Sequence, residues 1–176
     1  MHMQLIRCIK AFCTDFWPIR QILTNLEATC LEHTEQVDYF FVLPNQPDLS
    51  PSRRLKLRIE NDQPRWIFCY DRNQDSSRLM TFQRCEVRDQ NIKDVLATAL
   101  GVDVVVRKHR EVWHGDHAIF NFDRLYGVGE IFEVELEVDE QNRYVQQGNH
   151  YERLFRPFLG MEIHGSNEDL IRSQSV

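Results

Sequence analysis

The feature that most constrains the fold is a strict alternation of charged and apolar residues within short segments of the chain. Residues 54–58 read Arg-Leu-Lys-Leu-Arg, and residues 133–138 read Glu-Val-Glu-Leu-Glu-Val. Successive side chains of a β-strand point to opposite faces, so residues two apart lie on the same face. Both segments are therefore predicted to be strands with one apolar face and one face that carries charge of a single sign.

Further strands are predicted from β-branched and aromatic runs at 5–13, 36–43, 65–72, 80–87, 104–113 and 118–123. A first helix is expected after Thr14 or Asp15, with Pro18 in its first turn and an apolar face of Ile19, Ile22, Leu23 and Leu26.

A second helix is expected between Asp89 as its cap and Gly101 just past its end, with Ile92, Val95, Leu96 and Ala99 on one side. Short helical stretches are expected near 151–155 and 167–171. Strands outnumber helices, and the turns at 114–116 and 127–129 join the last three strands into an antiparallel meander.

Chain length and composition predict one soluble domain spanning residues 1–176, since 42% of the residues are hydrophobic. The net charge of −6 lacks the basic excess of nucleic-acid-binding proteins, so no nucleic acid partner is expected. No apolar run approaches the ~18 residues of a membrane-spanning helix, so no membrane partner is expected either. The five cysteines, odd in number and without CxxC spacing, indicate a reduced cytoplasmic protein.

The charged faces have two interpretations that the residues alone leave open. The cationic stripes are Arg54, Lys56 and Arg58 and, later, Lys108 and Arg110, while Glu133, Glu135 and Glu137 form an anionic stripe. Half-exposed antiparallel sheets alternate in this way when one face meets solvent. Like charges on one face repel, however, unless an opposite charge lies between them, and a polyanion with its metal would supply that charge.

A series of motifs along nearly the whole chain resembles the CYTH family. The motifs are Ile-Lys-Ala at 9–11, Gln-Val-Asp-Tyr-Phe at 36–40, Arg-Leu-Lys-Leu-Arg at 54–58, Val-Arg-Lys-His-Arg-Glu-Val-Trp at 106–113, Asp-Arg-Leu at 123–125 and Gly-Val-Gly-Glu-Ile-Phe-Glu-Val-Glu at 127–135. This family unites class IV adenylyl cyclases and thiamine triphosphatases and belongs to the triphosphate tunnel metalloenzymes. The resemblance implies an α+β fold, an eight-stranded antiparallel β-barrel with flanking helices whose interior carries the charged stripes.

The resemblance also implies residue roles. The expected ligands of the triphosphate are Lys10, Arg54, Lys56, Arg58, Arg72, Lys108 and Arg110, of which Lys10 and Arg110 are also the expected catalytic residues. Glu133 and Glu135 are similar to the ligands of Mg²⁺ or Mn²⁺, and Asp123 is similar to the acidic residue just before the turn. Glu137 lies past the motif and is expected to be structural.

The first strand departs from the family pattern. The family opens with Glu-x-Glu-x-Lys, whereas the corresponding positions here are Ile6, Cys8 and Lys10. The metal is then left to Glu133, Glu135, Asp123, water and the substrate, because the soft sulfur of Cys8 is a poor ligand for Mg²⁺.

The expected function is metal-dependent hydrolysis of an organic or inorganic triphosphate inside a cationic barrel. One alternative is a class IV-type adenylate cyclase that makes cyclic AMP and pyrophosphate from ATP, and another is a catalytically inactive module that binds triphosphate or polyphosphate. The expected partner is ATP, thiamine triphosphate or inorganic triphosphate, and a homodimer is left open. The segment His-Gly-Asp-His at 114–117 is interpreted as a turn rather than a metal site, and the cysteines as core residues or exposed thiols.

Overall fold

The structure is a computed structural model that describes residues 2–44, 52–71, 79–137 and 144–174. The described residues form eight strands and four α-helices. The strands are β1 (His2–Phe12), β2 (Thr29–Phe41), β3 (Arg53–Glu60), β4 (Gln63–Asp71), β5 (Leu79–Glu86), β6 (Val102–Gly115), β7 (Ala118–Leu125) and β8 (Gly129–Glu137). The helices are α1 (Trp17–Asn25), α2 (Ile92–Leu100), α3 (Tyr144–Phe155) and α4 (Asn167–Ser173), with a 3-10 helix at Arg156–Phe158.

The strands form a closed antiparallel barrel in the order β1-β5-β4-β3-β2-β6-β7-β8, and β8 pairs back onto β1. The predicted α+β barrel with flanking helices is thus confirmed. Closure gives every strand one side that faces the barrel interior and one that faces outward. Charged stripes on the inward side are therefore brought together from several strands.

The main apolar core lies outside the barrel, between β1, β7 and β8 on one side and helices α1 and α3 on the other. Phe132 is fully buried there, with its ring 5.0 Å from that of Phe122 and 5.1 Å from that of Phe155. The interior can be polar because this outer layer supplies the apolar burial that stabilises the fold.

The helices match the sequence expectations in part. In α1 the predicted positions Ile19 and Leu23 are fully buried, whereas Leu26 is exposed. In α2 none of the apolar residues is buried, and Val95 is exposed, so the predicted apolar side of this helix does not join the core. The expected cap residue Asp89 accepts a hydrogen bond from the backbone N–H of Asn91 at 2.9 Å, one residue before α2 begins.

Two elements begin about seven residues earlier than predicted. Strand β2 begins at Thr29 rather than at 36, because its polar first half pairs with β6 as far as His114 and needs no apolar face for that backbone pairing. Helix α3 begins at Tyr144 rather than near 151. The turn predicted at 114–117 is confirmed, since β6 ends at Gly115 and β7 begins at Ala118. None of the helices in the described ranges combines the length and apolar composition needed to cross a membrane.

Replacing Phe132 with alanine is expected to lower the free energy of unfolding by about 3–5 kcal/mol, because the change opens a cavity among closely packed rings. Urea unfolding followed by circular dichroism measures this loss. The control is Leu31→Ala on β2, where the side chain is 54% exposed and a change within about 0.5 kcal/mol is expected. Equal losses for the two variants would contradict the placement of the core.

Candidate functional site

The cationic stripe of β3 meets a carboxylate from the neighbouring strand inside the barrel. Lys56 Nζ lies 3.1 Å from Asp38 Oδ2, and Arg58 donates to both Asp38 oxygens at 2.7 and 2.8 Å. Burial alone would raise the pKa of Asp38, but the charges of Arg58 and Lys56 hold that pKa well below its usual range. Asp38 therefore stays ionised and fixes two cations.

A second carboxylate, that of Asp123, pairs with two cations of β6. Lys108 Nζ donates to Asp123 Oδ2 at 3.0 Å, while Arg110 donates from Nε to Oδ1 at 2.6 Å and from Nη2 to Oδ2 at 2.5 Å. Burial opposes ionisation of Asp123, but Arg110 and Lys108 hold its pKa well below the usual range. Both oxygens of the expected metal ligand Asp123 thus already accept hydrogen bonds from cations.

The two predicted metal ligands on β8, Glu133 and Glu135, face the same interior. Arg7 Nε lies 2.7 Å from Glu133 Oε1, and Arg110 Nη2 lies 3.4 Å from Glu133 Oε2. Despite the short distance, neither Arg7 Nε nor Glu133 Oε1 makes an aligned hydrogen bond with another described residue. Burial and the neighbouring charge of Glu133 raise the pKa of Glu135, whose Oε2 accepts from Asn121 Nδ2 at 3.4 Å.

Strand β1 does not alternate as predicted. A β-bulge shifts the register between Arg7 and Ile9, so that Arg7 lies opposite Glu135 and Lys10 opposite Glu133. Cys8 joins the outer apolar core instead. A bulge adds one residue to a strand and resets which side chains share a face. Ile6 and Cys8, the positions that correspond to the family's two glutamates, both pack with the outer core, whereas Arg7 lies inside, next to Glu133.

Lys10 differs from the other interior lysines. It is only 4% exposed, and within the described ranges its ammonium group has no ion pair or hydrogen bond. Burial lowers the pKa of Lys10 to about 8, although the charge of Glu133 opposes the shift. Burial also lowers the pKa of Lys108 to about 7, with the charge of Arg110 acting in the same direction.

Arg54 shares its face of β3 with Lys56 and Arg58, but its contact is with helix α4. Arg54 Nε lies 3.2 Å from Glu168 Oε1, and the hydroxyl of Tyr70 donates to Glu168 Oε2 at 3.3 Å. Glu168 is fully buried. The interior thus connects directly to the helix near the end of the chain. Of the other expected positions, Glu137 is exposed, and Arg72 lies outside the described residues.

Sequence reasoning missed the residues that pair with the stripes: Asp38, Arg7 and Glu168. Asp38 lies two residues after Gln36 on a predicted strand, which is the only sequence feature that could have suggested an inward side chain. A single carboxylate forms no charged stripe, so the sequence pattern did not identify it. Arg7 was hidden because the bulge breaks the period of two.

A further cluster lies outside the barrel and was also missed. Ligand atoms of Cys30, His33 and Glu111 come within 4.8 Å of one another. Arg20, however, already donates to both oxygens of Glu111 at 2.9 and 2.6 Å.

Among the described residues, the part of the interior around these strands brings together the cations Arg7, Lys10, Lys56, Arg58, Lys108 and Arg110 and the carboxylates Asp38, Asp123, Glu133 and Glu135. In this set the cations outnumber the carboxylates, and ion pairs hold most of the cationic side chains in place. Such an interior can bind a polyanion with charge-assisted hydrogen bonds.

Comparison with known proteins gives a family match and several similar structures. The model of the CYTH domain matches residues 14–158. The PH1012 protein of Pyrococcus horikoshii OT3 superposes with a TM-score of 0.75 at 20% identity, over 97% of this chain and 99% of that chain. A Vibrio parahaemolyticus protein provisionally named an adenylate cyclase gives a TM-score of 0.72 at 14% identity, over 97% of both chains.

A Hippeastrum protein provisionally named an adenylyl cyclase, with a dominant triphosphatase activity, gives a TM-score of 0.64 at 17% identity over 99% of this chain and 96% of that chain. No curated protein sequence matches the chain. At these identities the similar structures establish the shared barrel fold.

The free energy of unfolding of the ligand-free protein is expected to rise from about pH 7 to about pH 8.5. In this range the unfolded chain keeps the protons of Lys10 and Lys108 at their ordinary pKa of 10.5, whereas the folded state, with pKa values of about 8 and 7, loses them. Folding is therefore favoured as protons are removed. Urea titrations at several pH values measure the slope.

The variant Lys108→Met should flatten the rise in that titration. A wild-type protein whose free energy of unfolding falls over the same range would contradict the assignment. Above about pH 9 the thiols of Cys13, which is buried, and Cys30, which is half-buried, act in the opposite direction, because desolvation raises both pKa values.

Proposed function

The chain belongs to the CYTH domain family, and from this premise we propose that it is an enzyme that hydrolyses a triphosphate compound inside the barrel. The observation that carries the proposal is the set of inward cations held by Asp38 and Asp123 within a closed barrel. A triphosphate carries about four negative charges near neutral pH and can accept hydrogen bonds from several of these cations at once.

The proposed binding site for the triphosphate is formed by inward-facing cations that are already in position without the substrate. Lys56 and Arg58 approach from β3, Lys108 and Arg110 from β6, and Lys10 from β1. Four of the five are already oriented by a carboxylate, so little reorganisation is needed when charge develops on the phosphate oxygens. Arg54 joins them if the contact with Glu168 opens, and Arg72 stays a predicted ligand.

Mg²⁺ or Mn²⁺ is the proposed cofactor, and the residues present fit such an ion in part. Glu133 and Glu135 lie two residues apart on β8, and the buried Oε1 of Glu133 has no aligned hydrogen bond within the described ranges. One or two carboxylates with water and phosphate oxygens commonly hold Mg²⁺. Asp123 is the weaker candidate ligand, because Arg110 and Lys108 occupy both of its oxygens. When bound, the ion would polarise the reacting phosphoryl group.

In the proposed reaction a water oxygen attacks a phosphorus atom, and the bridging P–O bond breaks. The bonding electrons leave with the bridging oxygen, and the attacking water gives up one proton to the surrounding solvent. Arg110 is proposed to stabilise the negative charge on the phosphate oxygens. Lys10, which has a pKa of about 8 and forms no ion pair with the residues that the structure describes, is proposed to donate a proton from Nζ to the leaving oxygen.

Two other functions have specific support. The Vibrio and Hippeastrum proteins carry cyclase names, so cyclisation of ATP is an alternative: its 3′-hydroxyl would attack the α-phosphorus, release pyrophosphate and leave cyclic AMP. The triphosphatase activity of the Hippeastrum protein favours hydrolysis instead. An inactive binding module is supported by the absence of an inward carboxylate in the described side chains of β1, residues 5–12. A cytoplasmic location and a homodimer stay predictions.

Incubation with inorganic triphosphate, ATP or thiamine triphosphate is expected to release orthophosphate when Mg²⁺ or Mn²⁺ is present. The variant Lys56→Met should weaken binding of inorganic triphosphate at least about tenfold, because it removes a buried charge that a phosphate would contact. Isothermal titration calorimetry measures binding, and chromatography identifies the products.

The matched control is Lys93→Met on α2, where the lysine pairs with Asp94 at the surface and no loss of binding is expected. Cyclic AMP with pyrophosphate would select the cyclase, and binding without any product would select the inactive module. A protein that neither binds nor turns over any of the three compounds would refute the proposal.

A further inference from the structure

The proposed function gives no role to Arg7, a cation of the barrel interior. The bulge in β1 places Arg7 opposite Glu135 in the β1–β8 ladder and brings its guanidinium to Glu133. Arg7 thus lies beside both proposed metal ligands. Its side chain is 27% exposed, and that of Glu133 only 5%, so the contact lies at the edge of a buried region.

The guanidinium of Arg7 is held loosely enough to serve a ligand. Its Nε lies 2.7 Å from Glu133 Oε1 without an aligned hydrogen bond, and its Nη2 donates to the thioether sulfur of Met80 at 3.2 Å. A thioether is a weak acceptor, and a guanidinium carries five N–H donors. Strong donors therefore remain for phosphate oxygens.

The charge of Arg7 is also permanent. Burial works against ionisation, but the charges of Glu133 and Glu135 raise its pKa above the ordinary value for arginine. A divalent cation reaches a site only as its concentration allows, whereas this positive charge is part of the strand. It lies 2.7 Å from Oε1 of Glu133, the carboxylate that would hold the ion.

We propose that Arg7 takes the place of a divalent cation at Glu133, so that the barrel binds triphosphate without metal and binds the free metal only weakly. This inference rests on the proposed function, because it concerns the same interior. Without a neighbouring cation, Glu133 and Glu135 would repel a polyanion in the barrel. Arg7 neutralises that repulsion, and a metal ion must displace the guanidinium from Glu133 before the carboxylate can bind it.

The test compares wild-type protein with Arg7→Met in two titrations. Calorimetry with inorganic triphosphate, in chelator and in Mg²⁺, should show less than about a threefold difference in Kd for the wild type. In chelator the variant should bind at least about tenfold more weakly, and Mg²⁺ should restore its affinity. Free Mn²⁺, followed by electron paramagnetic resonance, should bind the variant at least about fivefold more tightly than the wild type.

Two further variants separate the charge effect from a loss of structure. Arg172→Met removes a surface ion pair with Asp103, whose two side chains are 41% and 33% exposed and which contacts neither Glu133 nor the Cys30–His33–Glu111 cluster. This variant should keep the wild-type Kd for triphosphate, both in chelator and in Mg²⁺, and the wild-type affinity for Mn²⁺. The double variant Arg7→Met/Glu133→Gln removes both charges of the interior pair. In chelator this double variant should bind triphosphate more tightly than Arg7→Met does. Its affinity for Mn²⁺ should fall back from the raised value of Arg7→Met.

A wild type that needs Mg²⁺ for tenfold or greater affinity would overturn this inference and leave the proposed function standing. So would unchanged Mn²⁺ and triphosphate affinities in Arg7→Met. If triphosphate binds under neither condition, the proposed function fails, and the Mn²⁺ titration still decides whether Arg7 competes for Glu133.

Discussion

The structure depends on balancing like charges inside a closed barrel. Lys56 and Arg58 lie on one strand, and Lys108 and Arg110 on another, and each pair would repel itself without Asp38 or Asp123 between its members. Burying ions costs desolvation energy that apolar side chains would not cost, so such pairs contribute little net stability. The stability comes instead from the aromatic layer between barrel and helices, which leaves the interior available for binding.

The eight strand segments, the single-signed stripes and the turn at 114–117 were predicted from local pattern, because side chains two apart on a strand share a face. The closed barrel and the inward direction of the stripes were predicted only from the resemblance to the CYTH family. The polar first half of β2 and the exposed α2 were not predictable in the same way. Strand β2 is fixed there by backbone pairing with β6, and α2 has an apolar pattern that finds no buried surface, so in both cases tertiary context decides.

Local sequence predicts some of the interior ion pairs but not others. The Arg110–Asp123 pair follows from the short turn between β6 and β7, because a two-residue connection fixes the register of a hairpin. The Arg58–Asp38 pair depends on β2 and β3 being neighbours across a long connection, which sequence spacing does not reveal. A site built from several strands is therefore predictable in its residue types but not in its ion pairs.

One inserted residue in β1 changes the chemistry that the barrel can offer. A bulge moves Cys8 out and Arg7 in, so that a guanidinium rather than a thiol faces Glu133. A guanidinium can neutralise charge and donate hydrogen bonds to phosphate oxygens, but it does not polarise a phosphoryl group as a Lewis acid does. For the proposed triphosphate substrate, binding and activation thus become separate demands: the proposal lets the chain alone meet the first, while the second would call for an ion at Glu133 and Glu135.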